Sequence, residues 1–191
     1  MSETTNEADR RHTREILRRL RAAYGPPARP RRRDPVDVLV ATILSQNTTD
    51  TNSGAAFARL QERFADWNAA ADARVDTIER AIRSAGLSRQ KAPRIRALLR
   101  GIRQQHGRIS LEHLRDARPQ VAYDELVALN GVGPKTALCV LLFALHKNVF
   151  PVDTHVARIT RRLGLLDAAT PDARAHEVLA PQIAPRDRRA L

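Results

Sequence analysis

Apolar residues recur at helical spacing along most of the chain, and no stretch shows the sustained alternation of apolar and polar residues that a half-buried strand requires. Prolines, glycines and small polar residues interrupt the apolar stretches and mark where helices begin and end. The pattern therefore predicts an all-α protein. The predicted helices cover residues 11–24, 36–45, 50–64, 75–85, 88–105, 123–129, 135–146, 154–163 and 171–180.

The segments between these helices have the chemistry of turns and caps. Residues 25–35 (GPPARPRRRDP) break regular structure and are predicted to form a linker. Gly86 closes one helix, and Ser88 is the candidate N-cap of the next. Residues 1–10 are polar and are expected to form a disordered leader.

Residues 129–137 (LNGVGPKTA) predict two helices joined by a glycine turn. Gly131 and Gly133 flank Val132 and allow a sharp turn, while Pro134 suits the first position of the second helix. The N–H groups and the dipole at the start of that helix form a site for an anion such as a DNA phosphate. A plain corner between two helices is the alternative, and the charge of the chain favours the phosphate site.

The composition favours an anionic partner. The formal net charge is +12, and nucleic acid is the leading candidate for that partner. The alternative is a basic surface with no specialised function.

A single cysteine, Cys139, excludes an intrachain disulfide and a cysteine-rich metal site, so no metal site is predicted. The longest apolar run, 137–145, is too short to cross a membrane. We therefore expect a soluble cytoplasmic protein, associated with the nucleoid and with no membrane partner.

Lysine is rare in this basic chain, and Lys135 has the position of a nucleophile. It lies at the positive end of its helix dipole, which favours the neutral amine that can attack an electrophile. The alternative is a surface lysine that contacts phosphate. The other two lysines are Lys91 and Lys147.

Asp153 is the candidate acidic partner of Lys135, eighteen positions later. A helix over 135–146 rises roughly 17 Å. An extended return to position 153 spans roughly 23 Å, enough to bring the carboxylate back beside the amine. The alternative is that Asp153, or Thr154, only caps the helix that follows.

These motifs together resemble those of the endonuclease III branch of the helix-hairpin-helix DNA glycosylases. The resemblance is carried by LNGVGPKTA at 129–137, by VDTHVARI at 152–159 and by LSQNTTD at 44–50. SRQKAP at 88–93 and the apolar helix after it also fit. The resemblance covers about residues 11–191, and its paired motifs are specific to the family.

The resemblance implies two helical lobes with a DNA-binding cleft between them. One lobe is a six-helix block at 36–147 that contains the helix-hairpin-helix motif, and the other combines 11–35 with 148–191. The implied partner is double-stranded DNA that carries a damaged base or an abasic site. A monomer is expected, since one lesion needs one cleft.

The resemblance also implies a bifunctional glycosylase and abasic-site lyase of base excision repair that removes oxidised pyrimidines. The damaged base would be flipped into the cleft, Lys135 would attack the sugar to form a Schiff base, and β-elimination would break the strand. Asp153 would activate the amine and stabilise the cationic sugar. The implied DNA-binding residues are Gln46, Asn47, Leu129, Gly131, Val132, Gly133, Thr136 and His155.

Three features depart from the family pattern. Many relatives have glutamine at the position of Asn47, so Gln46 and Asn47 are both candidates to fill the hole left by the flipped base. Asn130 replaces the usual proline before the hairpin. Many relatives also hold a [4Fe–4S] cluster with four cysteines in a C-terminal loop. This chain ends at Leu191, where that loop would begin, so it is either truncated or independent of the cluster, and no cofactor is predicted.

Two other functions stay open at this point. A monofunctional glycosylase for mismatched adenine or an alkylated base would use an aspartate and water, without the hairpin lysine. The adenine enzymes also carry a glutamate before the intercalating loop, and residues 38–44 contain no carboxylate. A non-enzymatic helix-hairpin-helix module would need the two glycines but neither Lys135 nor Asp153, and such modules often duplicate the hairpin, which occurs once here. A third possibility is a degenerate fragment that folds poorly without its C-terminal loop.

Overall fold

The computed structural model describes residues 3–26, 31–184 and 187–188, and every regular element in these ranges is a helix. The all-α prediction is confirmed. The α-helices in the described ranges are α1 (Glu3–Tyr24), α2 (Pro35–Ser45), α3 (Asp50–Arg63), α4 (Trp67–Asp72), α5 (Val75–Ala81), α6 (Ser88–His106), α7 (Pro119–Ala128), α8 (Pro134–Phe143), α9 (Thr154–Arg162) and α10 (Ala175–Leu179). Short 3₁₀ helices cover Arg83–Ala85, Glu112–Arg115, Asp172–Arg174 and Ala180–Gln182.

The chain divides into two compact units. One combines Met1–Arg31 with His146–Leu191, and the other is Arg32–Leu145. We call the second the hairpin unit, since it contains the glycine turn, and the first the terminal unit. None of the described helices combines the length and the apolar character that crossing a bilayer requires.

The hairpin unit is built around α2, which packs against both α3 and α8. Asp34 begins this helix by accepting the N–H groups of Val36 and Asp37, and Pro35 occupies a first-turn position where its missing N–H is no loss. The apolar side chains of α2 lie on more than one face of the helix, because neighbouring helices cover several of its faces. The largest fully buried side chains of this unit include Leu39, Ile43, Leu44, Leu60, Ile78, Ile95, Leu99 and Ile102.

The terminal unit has its own smaller core. Ile16 of α1 packs against a cluster of buried residues in this core, namely Phe150, Ala157, Leu165, Leu166, Ala175, Leu179 and Ile183. Arg21 donates to Asp187 at 2.6 Å, which links α1 to the C-terminal segment. Two segments far apart in the sequence therefore share one core.

Several predicted boundaries are wrong, and each has a local cause. Helix α1 begins at Glu3, so the described residues of the predicted leader are helical. Extending an existing helix adds one hydrogen bond per residue and needs no apolar stripe. Ser88 is the first helical residue, and Leu87, with φ of +48°, precedes it as the cap. The predicted helix at 75–85 divides into α5 and the 3₁₀ helix at Arg83–Ala85.

Other boundaries shift by a few residues. Helix α7 begins at Pro119, α8 ends at Phe143, and the predicted final helix at 171–180 contains a 3₁₀ turn followed by the short α10. Helix α4 was not predicted, because six residues are too few to show a helical period. As a result, the hairpin unit contains seven α-helices where six were predicted.

Candidate nucleic-acid interface and active site

The predicted turn between two helices lies between α7 and α8. The N–H of Val132 donates to the carbonyl of Leu129 at 3.0 Å and closes the turn. The side chains of Leu129 and Val132 are 5% and 6% exposed. Both were predicted to bind DNA. Because their side chains are buried, such a contact would have to come from the backbone, and it stays a prediction.

Gly131 is required by the fold itself. Its φ is +82°, a conformation that side chains with a Cβ rarely adopt. A Cβ at this position would lie 2.7 Å from Nε of Arg94. The turn and the arginine packed against it both exclude a side chain here.

Gly133 has no such structural reason to be glycine. Its φ of −91° and ψ of 172° are ordinary extended values, and a Cβ there would meet nothing within 4 Å. The residue is the N-cap of α8, beside the N–H groups and the positive dipole end of that helix. The missing side chain leaves open space beside the N–H groups at this helix start, where an anion could approach the backbone.

The two glycines give a matched prediction. We expect Gly133→Ala to leave the free energy of unfolding unchanged or raise it by about 0.4–1 kcal/mol. The same change should weaken binding to an abasic duplex about tenfold, since a hydrogen bond to a charged group is worth about 1.5–3 kcal/mol. Gly131→Ala should instead destabilise the protein by about 1–2 kcal/mol. Denaturant titrations and fluorescence anisotropy check both; undiminished DNA binding by Gly133→Ala would contradict a phosphate at this turn.

Lys135 and Thr136 follow the turn at the start of α8. The side chain of Lys135 is exposed, so it is accessible to a macromolecular substrate. Thr136 is only 4% exposed. Any contact of Thr136 with DNA would therefore have to come from its backbone N–H, and the roles predicted for Thr136 and Lys135 stay predictions.

Lys91 has a different role. Its side chain is 4% exposed, and Nζ donates to the carbonyls of Leu44 at 2.7 Å and of Ala85 at 2.8 Å. Burial lowers the pKa of this amine. A low pKa alone would suggest a nucleophile, but the amine is sealed and both contacts are structural. Lys91 instead satisfies a carbonyl near the C-terminal end of α2, where helix carbonyls have no helical partner.

The loop after α2 contains Gln46 and Asn47. The amide oxygen of Gln46 accepts a hydrogen bond from Nη1 of Arg94 at 3.0 Å. The same guanidinium donates from Nε to the carbonyl of Gly131 at 3.0 Å and from Nη2 to that same carbonyl. Arg94 therefore ties the loop to the glycine turn, a link that the local sequence pattern does not indicate.

Gln46 and Asn47 are not equivalent. Gln46 is half-buried and bound to Arg94, whereas Asn47 is exposed. Asn47 has φ of +54°, a left-handed conformation that asparagine tolerates better than most residues. Both amides are predicted candidates to enter DNA, and Asn47 is the more accessible of the two.

Asp153 lies in the terminal unit, at the start of α9. Its Oδ1 accepts the N–H groups of His155 at 3.0 Å and Val156 at 2.8 Å, which confirms the predicted cap. His155 is exposed, with Nδ1 3.0 Å from Nη2 of Arg158. Lys135 and Asp153 belong to different units, and their pairing stays a prediction.

Two groups of residues bear on metals and cofactors. Cys139 is half-buried in α8 and is the one cysteine of this sequence. A [4Fe–4S] cluster needs four cysteine ligands, so a single cysteine does not fit one. His106, His113 and Glu125 bring their ligand atoms within 4.8 Å of one another. The three residues lie within twenty positions of one another, but their spacing matches no local metal-binding motif, so the sequence did not indicate the group.

Comparison with known proteins gives a consistent result. Residues 40–181 match the family model of the HhH-GPD superfamily base excision DNA repair proteins. Endonuclease III of Thermotoga maritima is 35% identical over 159 residues, which are 83% of this chain and 68% of that protein. The DNA glycosylase/AP lyase ROS1 of Arabidopsis thaliana is 43% identical over 99 residues, 52% of this chain and 7% of its own length. Another relative from Arabidopsis thaliana is 46% identical over 129 residues. The matched residues are 68% of this chain and only 44% of that protein.

Solved structures show the same likeness. A trapped covalent intermediate of endonuclease III with DNA superposes with a TM-score of 0.80 at 28% identity, covering 94% of this chain and 81% of that one. A non-covalent endonuclease III–DNA complex also gives 0.80, at 26% identity, covering 95% and 84%. Both are complexes with DNA, and their fold is the one described above.

Proposed function

Since this chain belongs to the HhH-GPD superfamily of base excision DNA repair proteins, we propose that it removes a damaged base from double-stranded DNA and then cuts the abasic site. The observation that carries the proposal is Lys135, an exposed amine in the first turn of the helix that follows the glycine turn. The names of two relatives, endonuclease III and a DNA glycosylase/AP lyase, support the combination of both activities.

The proposed reaction begins when Nζ of Lys135 attacks C1′ of the damaged nucleotide. The N-glycosidic bond breaks, and the base leaves with the electron pair and takes up a proton. The sugar ring opens to give a Schiff base between Nζ and C1′. Loss of a proton from C2′ then expels the 3′ phosphate, and the strand is cut by β-elimination. Asp153 would accept the proton of the amine and stabilise the cationic sugar.

The glycine turn and the loop after α2 would hold the DNA. The backbone at Gly133 would take a phosphate on one side of the lesion, and Asn47 would fill the hole left by the flipped base. His155 would add a contact beside Asp153 at the start of α9. We propose one protein molecule per lesion, acting in the cytoplasm on nucleoid DNA, with Lys135 and Asp153 supplying the chemistry.

The assignment of Asn47 gives a prediction. Asn47→Ala should slow base release from duplex DNA about 10²-fold under single-turnover conditions, because unstacking a base costs a few kcal/mol. Gln46→Ala should slow it less, since Gln46 supports the loop through Arg94. The control is the same lesion in single-stranded DNA, where no hole needs filling and Asn47→Ala should match the wild type. A larger loss in Gln46→Ala would reverse the two roles.

Oxidised pyrimidines are the proposed substrates, and a lesion panel tests both the substrate class and the reaction type. Duplexes would carry an abasic site, thymine glycol, dihydrouracil, mismatched adenine or an alkylated base. We expect strand cleavage without alkali at the abasic site and at the two oxidised pyrimidines. Base release that becomes strand cleavage only after alkali would instead support a monofunctional enzyme. Binding without base release on any lesion would support a non-enzymatic module.

A further inference from the structure

We propose that His106, His113 and Glu125 form a binding site for one divalent transition-metal ion such as Zn²⁺. The three residues come from three neighbouring elements of the hairpin unit. His106 is the last residue of α6, His113 lies in the 3₁₀ helix at Glu112–Arg115, and Glu125 lies on α7. The proposal is independent of the DNA chemistry above.

The two imidazoles approach the same carboxylate oxygen. Oε1 of Glu125 lies 2.6 Å from Nε2 of His113 and 3.4 Å from Nε2 of His106. The ring centroids of the two histidines are 4.8 Å apart. Ligand atoms of a tetrahedral zinc ion lie about 3.3 Å apart, so the shorter distance would widen by about 0.7 Å when an ion enters.

Nε2 of His106 lies near the Glu125 carboxylate but makes no hydrogen bond to it. This atom is buried and has no hydrogen bond within the described part of the chain. A buried polar atom without a partner costs about 1–3 kcal/mol. An ion between the three residues would give this nitrogen a ligand bond and would satisfy the carboxylate at the same time.

The donor set and its position suit a transition-metal ion. Imidazole nitrogens favour Zn²⁺, Co²⁺, Ni²⁺ or Cu²⁺, whereas Ca²⁺ and Mg²⁺ prefer oxygen ligands alone. His106 also ends α6, and the negative end of a helix dipole favours a cation. The bound ion would join α6 to α7, the helix that leads into the glycine turn.

Titration of the untagged protein with Zn²⁺ by calorimetry tests the site, with the d–d absorption of Co²⁺ as a second measurement. We expect Zn²⁺ binding to saturate at one ion per chain, and we expect the d–d bands of bound Co²⁺ to be those of a four-coordinate ion. His113→Gln and Glu125→Gln should each weaken Zn²⁺ binding at least about tenfold, since even outer-shell partners of a metal are worth about 10- to 100-fold. Circular dichroism confirms that each variant is folded.

His176→Gln is the matched control, since this histidine lies on α10 in the terminal unit and should leave Zn²⁺ affinity unchanged. The absence of stoichiometric binding to the wild type would overturn the proposal. Equal affinity in the wild type and in both ligand variants would overturn it as well.

Discussion

Lys135→Gln is expected to abolish strand cleavage at an abasic site, with a loss of at least about 10³-fold in the single-turnover rate. Glutamine keeps a polar side chain of similar length but has no amine that can form a Schiff base. Because Lys135 is exposed, the free energy of unfolding should change by less than about 0.5 kcal/mol. Affinity for an abasic duplex should also persist, since one charge of many is removed.

The matched control for this variant is Lys147→Gln, which removes a half-buried lysine of the terminal unit. It changes the net charge by the same amount, so a general electrostatic effect on DNA binding would show equally in both variants. We expect strand cleavage by Lys147→Gln to match the wild type. Equal cleavage by Lys135→Gln and the wild type would remove Lys135 from the reaction.

Asp153→Asn is expected to reduce base release by about 10²- to 10⁴-fold, the usual range for a positioned acid or base. Asparagine is as good an N-cap as aspartate, so the hydrogen bonds to His155 and Val156 should persist. The loss of the negative charge at the helix N-terminus should cost about 0.3–1 kcal/mol of stability. The variant therefore separates the catalytic role of the carboxylate from its capping role.

Asp66→Asn is the corresponding control, because Asp66 caps α4 through a bond from the N–H of Ala69 at 2.8 Å. It should lose a similar small amount of stability and keep full activity. Asp153→Ala should lose both the cap, at about 0.5–2 kcal/mol, and the activity. If Asp153→Asn released the base as fast as the wild type, Asp153 would be a structural cap only.

Local chemistry made much of this protein predictable from its sequence. The helical spacing of apolar residues gave the all-α class, and Pro134 and Asp153 fixed the starts of α8 and α9 because caps act within one turn. The glycine turn was predictable as well, because the residues that set its conformation are adjacent in sequence. They are Gly131, with its positive φ, and Val132, whose N–H donates to the carbonyl of Leu129.

Contacts between distant residues were not predictable from one sequence. Arg94 lies 37 positions from Gly131 and 48 from Gln46, and nothing in the local pattern indicates that one guanidinium joins them. The burial of Lys91 was missed for the same reason, since its partner Leu44 is 47 positions away. The burial of the Leu129 and Thr136 side chains was not predictable either, because a motif identifies positions but not which side of the backbone faces the core. Their contact with DNA stays a prediction.

The most direct test of the central claim is to trap the wild-type protein on an abasic duplex with borohydride and to locate the adduct by mass spectrometry. Digestion after arginine places Lys91 in a different peptide from Lys135 and Lys147, and fragmentation separates the last two. We expect a single adduct, on Lys135. An adduct on Lys91, on Lys147 or on the N-terminal amine would contradict the proposed reaction.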